Sequence, residues 1–328
     1  MRIDLYSKST WDKSNLEVKK HLGLEETDIH VMVFRGLNHA LMETTGGLVK
    51  SFPHKIKGYF FKNMDPYLEL PMIQLAKEGF DVEPISFRGD FSSSQKEFLE
   101  GFQKNSLFTL LTHHDPLFSR KYKTEELFQH LNEQKHFVLQ IYHNQPPSVE
   151  SIKTLGRFQG YIVSINSQLA VAFLGARLKF SAPITSGFVW SDESTKRICE
   201  GLIDQIVEDK DKIEKFENSG TANSLPLLIQ QERVYDRAII HWKDMDSHAL
   251  LQYLKQEELK ETGYETEFES ASLTRWGGFK SNDWLIQQGF KNDDLRGTLI
   301  IDVQQISESL SDKICQARQY ILELQGEE

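Results

Sequence analysis

Residues 161–184, YIVSINSQLAVAFLGARLKFSAPI, decide how this chain can be interpreted. The apolar run at 161–165 predicts a short buried strand, and the polar residues at 166–168, Asn-Ser-Gln, predict a turn. A segment of small residues follows. A second apolar run then predicts another strand over 176–182, with Arg177 near its start. These residues therefore predict two buried strands, joined by a polar turn and a connecting segment.

On the N-terminal side of this stretch, short apolar runs alternate with amphipathic segments. This pattern is typical of a largely parallel sheet covered by helices. The predicted strands lie at 57–63, 81–87, 106–112 and 136–142, and the predicted helices at 38–52, 68–79, 93–103 and 123–134. Thr124 is a candidate cap for the last helix. We expect these elements to form a large α/β domain over residues 25–190.

The sequence changes character beyond residue 190. Amphipathic helices are predicted at 192–218, 248–263 and 307–324, and strands at 233–243, 264–276 and 297–303. Helices and strands in this mixture predict a small α+β domain over residues 191–328. We expect residues 1–24 to form an N-terminal segment that packs with it.

Composition narrows the class of protein. The 328 residues are 39% hydrophobic and 26% charged, as in ordinary soluble globular proteins. A net charge of −10 does not favour binding to nucleic acid or to an anionic membrane surface. No membrane-spanning run and no apolar signal-peptide region is present. Cys199 and Cys315 lie far apart without a CxxC partner, which predicts free thiols in a cytoplasmic protein.

The order and spacing of these segments resemble the fold-type I pyridoxal-phosphate-dependent enzymes, the aminotransferase superfamily of class I/II type. In that superfamily the strand that corresponds to 161–165 leads into a Ser-x-Ser-Lys turn, whose lysine binds the cofactor as a Schiff base. Here Gln168 occupies the lysine position, and no lysine occurs between Lys153 and Lys179. An amide cannot replace the primary amine. The resemblance thus implies a degenerate member that binds no cofactor covalently.

The resemblance also implies a set of cofactor contacts around that turn. Ser167 in the turn and Arg177 beyond it are candidates. The segment 31–48 is similar to the strand–glycine–helix opening that holds the cofactor phosphate at a helix N-terminus, which makes Gly36, Asn38 and His39 candidates for the same contact. The alternative is that these residues simply form the start of an ordinary helix without a ligand.

Two further segments supply candidates. The segment 62–85 is similar to the family's Pro-x-Tyr loop, which places Tyr67 near the cofactor ring; an ordinary turn tyrosine is the alternative. In the segment 107–122, Asp115 stands where the family has an asparagine that contacts the ring hydroxyl. The adjacent His113 and His114 raise the question of a metal site. Neighbouring residues on an extended chain point in opposite directions, so we predict no metal.

The segment 137–147 resembles the family's strand that ends in an acidic residue. In the family that carboxylate pairs with the pyridinium nitrogen of the cofactor. No Asp or Glu occurs between Glu133 and Glu150, and the candidates for this position are Gln140, Tyr142, His143 and Asn144. Near the C-terminus, Arg296 occupies the position of the arginine that binds the substrate carboxylate in the family, although it could equally be an ordinary surface residue.

Three functional hypotheses follow. The first is an aminotransferase-like protein that has lost standard imine chemistry and binds a small anionic ligand or stabilises a partner. It would be a homodimer, or a heterodimer with a catalytic homologue. The second is an active enzyme that acts on a small amino or keto substrate. It would use non-covalent pyridoxal or pyridoxamine phosphate with His39 or His143 as base, or a lysine outside the expected position. The third is another α/β protein with a ligand site at its strand ends.

Overall fold

The computed structural model describes most of the N-terminal half of the chain and parts of the C-terminal half. The described residues are 8–55, 57–62, 65–86, 91–103, 105–143, 146–166, 169–178, 210–218, 232–235, 237–243, 245–262, 269–270, 275–276, 279–280, 286, 290–302, 306 and 308–326. The chain divides into two compact units. Unit 1 comprises Met1–His113 and Tyr122–Ile206, and unit 2 comprises His114–Lys121 and Val207–Glu328.

Unit 1 is built on a seven-stranded sheet in the order β1-β7-β6-β5-β4-β2-β3. Its strands are β1 (His30–Phe34), β2 (Lys57–Lys62), β3 (Asp81–Ser86), β4 (Ser106–Thr112), β5 (Phe137–His143), β6 (Gln159–Asn166) and β7 (Leu169–Leu174). Strands β3, β2, β4, β5 and β6 are mutually parallel, whereas β7 runs antiparallel to both β6 and β1. The predicted mostly parallel sheet is confirmed.

Helices cover both faces of this sheet. They are α1 (Lys8–His21), α2 (Gly36–Ser51), α3 (Glu69–Lys77), α4 (Phe91–Gly101), α5 (Glu125–Glu133) and α6 (Val149–Lys153). On one face, leucines and methionines of α2 and α3 pack against β-strand residues such as Leu139 and Ile141. On the other face, residues of α1, α4, α5 and α6 pack against Val138 and Val163. Each face thus has its own apolar cluster, because successive strand residues point to opposite sides.

The prediction for 166–182 is wrong in one respect. The segment of small residues is itself a strand, β7, and Ala176–Leu178 form a turn of 3-10 helix rather than the start of a strand; residues 179–182 lie outside the described residues. Strand β7 is flanked by β6 and β1 and is covered on both faces. A continuous apolar run without polar alternation is typical of such a strand.

The described part of the N-terminal segment packs on the unit 1 sheet, and its packing with the small domain stays a prediction. Val18, Leu22 and Leu24 are buried in the cluster on one face of the unit 1 sheet, and α1 contacts β1. In the described part of residues 1–24, the apolar side of α1 therefore completes the large unit. Burial of three leucine-sized or valine-sized side chains contributes roughly 5 to 8 kcal/mol to this attachment.

Unit 2 is the α+β part of the chain. Strands β8 (Arg237–His241), β9 (Glu269–Ser270) and β12 (Thr298–Asp302) form an antiparallel sheet in the order β8-β12-β9, and β10 (Arg275–Trp276) pairs with β11 (Phe279–Lys280). Its described helices are α7 (Lys210–Asn218), α8 (Ser247–Thr262), α9 (Asn292–Arg296) and α10 (Glu308–Gly326). The predicted helix over 192–218 is described only from Lys210 onward.

The division between the units differs from the predicted domains in one respect. Residues His114–Lys121, which lie between β4 and α5 in the chain, pack within unit 2. Leu117 and Phe118 are fully buried there beside Ile239 and Phe290. The predicted boundary between 190 and 191 lies outside the described residues.

Candidate functional site

The parallel strands of unit 1 all end at one edge of the sheet, called the carboxyl edge here. Strand β1 also ends there, because Phe34 pairs with Ala170 at the beginning of β7. The N-terminus of α2 follows β1 directly and therefore lies at the same edge. In open α/β sheets, ligands bind at the carboxyl ends of the strands. The carboxyl edge is therefore the candidate site.

Four side chains from three strand ends meet at this edge and form the carboxyl-edge cluster: Asp65, Tyr67, Thr112 and His143. The Asp65 carboxylate accepts hydrogen bonds from the Tyr67 backbone N–H at 2.8 Å and from the Thr112 hydroxyl at 3.3 Å. The His143 Nε2 lies 2.5 Å from the Asp65 Oδ2. Asp65 is 1% exposed and His143 is 6% exposed. The cluster is a buried carboxylate–imidazole pair supported by a backbone amide and a hydroxyl.

The cluster lies on the sheet face that α2 and α3 cover. Alternation along β5 places His143 on the same side as Leu139 and Ile141, which pack with α2 and α3 residues. The Tyr67 ring, which is half-buried, lies 5.7 Å from the His143 ring at an angle of 36°. The structure thus brings His143 and Tyr67 together at the carboxyl edge.

Tyr142 is not part of this cluster. Its ring points to the opposite face of the sheet, where it stacks on His113 at 4.5 Å and meets Tyr161 edge-on at 5.3 Å. Burial raises the pKa of Tyr142 well above its ordinary value, and the charges of Tyr161 and Glu125 add smaller contributions in the same direction. Tyr142 is therefore a neutral core residue at neutral pH, on the face of the sheet that the cluster does not use.

The N-terminus of α2 begins at Gly36, whose φ of 76° favours glycine. The Arg35 backbone N–H donates to the His39 Nδ1 at 3.3 Å, and the His39 Nε2 lies 3.9 Å from Glu43. The His39 ring is thus engaged with its own helix. The Asn38 Oδ1 is buried and has no hydrogen-bond partner among the described residues. The predicted contacts of these residues with a cofactor phosphate remain predictions.

Asp115 lies in the segment His114–Lys121, which belongs to unit 2. Its carboxylate accepts hydrogen bonds from the backbone N–H groups of Leu117, Phe118 and Arg120 and from the Arg120 Nε at 2.6 Å. These four donors saturate a fully buried carboxylate. The structure therefore places Asp115 in a self-contained loop of unit 2, where its carboxylate stabilises the fold.

The two arginines predicted as site residues belong to different units. Arg177 is exposed at the end of the sheet opposite the carboxyl edge, and its backbone N–H donates to the Arg157 carbonyl at 2.9 Å. The prediction of its position is wrong because β7 carries the chain back across the sheet. In unit 2, Arg296 is exposed and its Nε donates to Asp246 at 2.9 Å. Ser167 and Gln168 lie outside the described residues.

Among the described residues, no group of three or more His, Cys, Asp or Glu side chains is arranged to hold a metal ion. His113 belongs to unit 1, where it stacks on Tyr142, and His114 belongs to unit 2. None of the helices in the described part of the chain combines the length and the apolar character that crossing a membrane requires.

Sequence reasoning missed two members of the carboxyl-edge cluster, Asp65 and Thr112. Both positions carry a weak signal, since Thr112 ends a continuous apolar strand and Asp65 comes just after another strand, before a proline. A polar residue directly after a parallel strand is a candidate site residue, since it lies at the carboxyl edge. Their mutual contact depends on β2 and β4 being neighbours, which the sequence does not state.

The described residues do not match the groups that pyridoxal phosphate requires for a covalent imine. The connection between β6 and β7 contains no lysine. Strand β5 ends in Tyr142 and His143 rather than in a carboxylate, and the Asp65 carboxylate at this edge is already paired with His143. The α2 N-terminus remains compatible with a small anion.

The order of strands, the antiparallel β7 and the helix that follows β1 define the fold-type I fold of pyridoxal-phosphate-dependent enzymes. Solved structures share it across nearly the whole chain. A NifS-like protein matches at 14% identity with a TM-score of 0.66, covering 96% of this chain and 88% of that one. The histidinol-phosphate aminotransferase from Clostridium acetobutylicum matches at 11% identity with a TM-score of 0.56, covering 96% and 90%.

The apo cysteine desulfurase from Thermococcus onnurineus matches at 12% identity with a TM-score of 0.57, covering 98% of this chain and 86% of that one. No protein-family model and no characterised protein sequence matches the chain. At these identities the likeness shows the fold, and the chemistry depends on the residues of the site.

Proposed function

We propose that this chain is an aminotransferase-like protein without imine chemistry, which binds a small anionic ligand at the carboxyl edge of unit 1. The observation that carries the proposal is the β6–β7 connection. It is two residues long, Ser167 and Gln168, and no primary amine occurs between Lys153 and Lys179. A Schiff base needs such an amine, and an amide cannot replace it.

The end of β5 supports the same proposal. A cofactor that acts as an electron sink needs a fixed negative charge at its ring nitrogen. His143 occupies this strand end, and the nearby Asp65 carboxylate is buried behind it. The ligand would therefore meet an imidazole at this point and not a carboxylate. Both groups that define imine chemistry are thus replaced.

An anionic ligand is supported by the start of α2. The first N–H groups of a helix lack partners within the helix, and they carry a partial positive charge. The first turn of α2 contains no acidic residue, and Arg35 precedes it. Pyridoxal phosphate or pyridoxamine phosphate, held without a covalent bond, fits this chemistry. We include a cytoplasmic location in the proposal, for which the exposed free thiol of Cys315 is the support.

The proposal is tested by incubating the protein with excess pyridoxal phosphate, recording the visible spectrum, and then adding borohydride before peptide mapping. We expect no internal-aldimine band and no pyridoxyl-lysine peptide. A specifically labelled lysine would identify an imine-forming residue and would overturn the proposal in favour of an active enzyme. Light scattering of the same sample measures whether the chain forms the expected homodimer or needs a homologous partner.

A further inference from the structure

The amino edge of the unit 1 sheet, where the parallel strands begin, carries two arginines on segments that touch. Arg157 lies in the turn before β6, and Arg177 lies in the turn of 3-10 helix after β7. The Arg177 backbone N–H donates to the Arg157 carbonyl at 2.9 Å, and both residues are exposed. The return of the chain through β7 thus brings together two guanidinium-bearing residues that are distant in sequence.

Close packing and buried hydrogen bonds hold these two turns in place. A methyl group at Gly175 would collide with the Gly156 carbonyl oxygen, so the approach of the two segments requires glycine. The Gln159 side chain is 4% exposed, and its Oε1 accepts a hydrogen bond from the Gly156 N–H at 2.6 Å. The Asn132 Oδ1 accepts another from the Phe158 N–H at 3.2 Å. The backbone that carries the arginines is therefore a fixed platform.

Neither guanidinium is paired within the part of the chain that the structure describes. No carboxylate and no hydrogen-bond acceptor among those residues contacts the side chain of Arg157 or Arg177. A guanidinium binds a carboxylate through two parallel N–H groups, and it keeps its charge at every physiological pH. The two arginines can therefore each bind a carboxylate from another molecule.

The neighbouring turns add to this positive charge. Residues 132–136 and 152–158, all of which the structure describes, contain Lys135 and Lys153 as further exposed cations and Glu133 as their one carboxylate. The chain as a whole has a net charge of −10, so the sign of the charge is reversed locally at this edge. Salt screens charges beyond about 8 Å at physiological ionic strength, so a bound segment interacts mainly with these local cations.

Two half-buried phenylalanines lie at the same edge. The Phe52 ring, directly after α2, lies 4.8 Å from the buried Phe137 ring, and the Phe158 ring lies 5.4 Å from it on β6's side. Phe52 and Phe158 both pack at the margin of the apolar cluster beneath α2. Arginine and aromatic side chains are enriched at protein–protein interfaces. The amino edge therefore combines unpaired guanidiniums with partly exposed aromatic rings.

We propose that the amino edge of unit 1 is a docking surface for an acidic segment of another protein. Carboxylates of that segment pair with Arg157 and Arg177, and an apolar side chain between them contacts Phe52 and Phe158. A short segment suits this surface better than a nucleic acid, because a long polyanion would extend beyond the basic turns over a protein that is acidic as a whole.

The test is fluorescence anisotropy of the full chain with a labelled peptide, Glu-Glu-Phe-Glu-Glu, at low ionic strength. We expect saturable binding that weakens about tenfold or more in R157Q/R177Q, because two charge-assisted hydrogen-bonded pairs are lost. The labelled peptide Gln-Gln-Phe-Gln-Gln should not distinguish the variant from the wild type. Both substitutions change exposed side chains, and circular dichroism verifies that the variant is folded.

K20Q/K96Q is the matched control, since it removes two exposed positive charges from α1 and α4, which cover the other face of the sheet. It should bind the acidic peptide as the wild type does. No binding of this peptide, or equal losses in R157Q/R177Q and K20Q/K96Q, would overturn the proposal. Tighter binding of a single-stranded thymidine oligonucleotide would overturn it in favour of nucleic acid. Self-association that R157Q/R177Q abolishes would overturn it in favour of a second copy of the chain.

This surface lies at the edge of the sheet opposite the proposed ligand site, so the two proposals fail separately. A lysine trapped by borohydride overturns the loss of imine chemistry but leaves the peptide affinity as measured. A peptide that does not bind removes the docking surface but leaves the borohydride result unaffected.

Discussion

Asp115 and Arg120 form a buried ion pair, with the Arg120 Nε 2.6 Å from the Asp115 Oδ2, inside a loop that leaves the unit 1 sheet after β4 and packs in unit 2. The guanidinium also lies 4.9 Å from the centre of the Phe290 ring. The loop thus carries its own electrostatic and apolar anchors. A residue that the family resemblance assigns to cofactor binding serves here as the centre of that loop.

D115A is expected to destabilise the protein by about 3 to 5 kcal/mol, because it removes the carboxylate that pairs with the buried Arg120 charge. The measurement is the free energy of unfolding from urea titration, followed by probes in both units. R296A breaks the exposed pair with Asp246 and is the matched control, with an expected change of less than about 1 kcal/mol. Equal effects of the two variants would contradict the anchoring role of Asp115.

The buried His136 ring is expected to make the protein less stable in acid. Burial, followed by the charge of Lys55, lowers the pKa of His136 from 6.5 to about 3. Its ring is neutral in the folded protein, where Nε2 lies 2.8 Å from the Thr109 Oγ1. The His136 ring binds a proton more tightly in the unfolded chain than in the folded protein. The neutral ring therefore contributes to the free energy of unfolding, and this contribution is fully present above pH 6.5. It is lost as the pH falls towards 3.

Between pH 7 and pH 4, the loss from this histidine should amount to about 3 kcal/mol. Urea midpoints of the wild type and H136Q at several pH values measure it. The H136Q variant is less stable at pH 7, but its stability should fall less steeply with acid. H54Q, at an exposed position, is the control and should retain the wild-type slope. Parallel pH profiles for H136Q and wild type would rule out this assignment.

Replacement of glycine by alanine is expected to have opposite effects on stability at two positions, Gly175 and Gly46. A methyl group at Gly175 would lie 2.1 Å from the Gly156 carbonyl oxygen, so G175A should destabilise unit 1 by at least about 2 kcal/mol through backbone displacement. At Gly46, within α2, a methyl group meets no atom within 4 Å, so G46A should stabilise the helix by about 1 kcal/mol. Thermal unfolding of both variants tests the close contact between Gly156, in the segment before β6, and Gly175, directly after β7.

The proposed loss of imine chemistry predicts a gain-of-function experiment. Q168K places a primary amine in the connection between β6 and β7. With excess pyridoxal phosphate and borohydride, we expect a pyridoxyl label on residue 168 of the variant and none on the wild type. Q168M is the matched control, with a side chain of similar length and no amine. Labelling of the wild type to the same extent, at any lysine, would contradict the proposal.

The sequence was sufficient for the elements of the unit 1 sheet because each one carries a local signal. Strands β2 to β6 are short apolar runs bounded by turn residues, and α2 to α5 have amphipathic spacing, so their predicted positions agree with the structure to within a few residues. The Thr124 cap is an exception. Its hydroxyl accepts a hydrogen bond from the Gln140 Nε2 and caps no helix N–H, because a buried amide competed for it.

Strand β7 was not predicted because its small apolar residues show no periodic pattern of polar and apolar positions. Ala170 and Ala172 face one side of the sheet while Val171 and Phe173 face the other, so a doubly covered strand shows neither alternation nor helical spacing. Without this strand, the sequence pattern predicts Arg177 at the carboxyl edge, whereas it lies at the opposite end of the sheet. One unrecognised element thus misplaced a predicted site residue by the full length of a strand.

The sequence by itself determined the order of the elements, the mostly parallel sheet and the absence of a lysine in the turn after β6, since each of these depends on residues close together in the chain. Only the tertiary structure decided which polar residues meet. Asp65 and His143 are 78 positions apart and are brought together because β2, β4 and β5 lie close in the sheet, whereas Tyr142 and His143 are adjacent and point to opposite faces. Contacts between distant residues follow from strand pairing, which local sequence patterns do not encode.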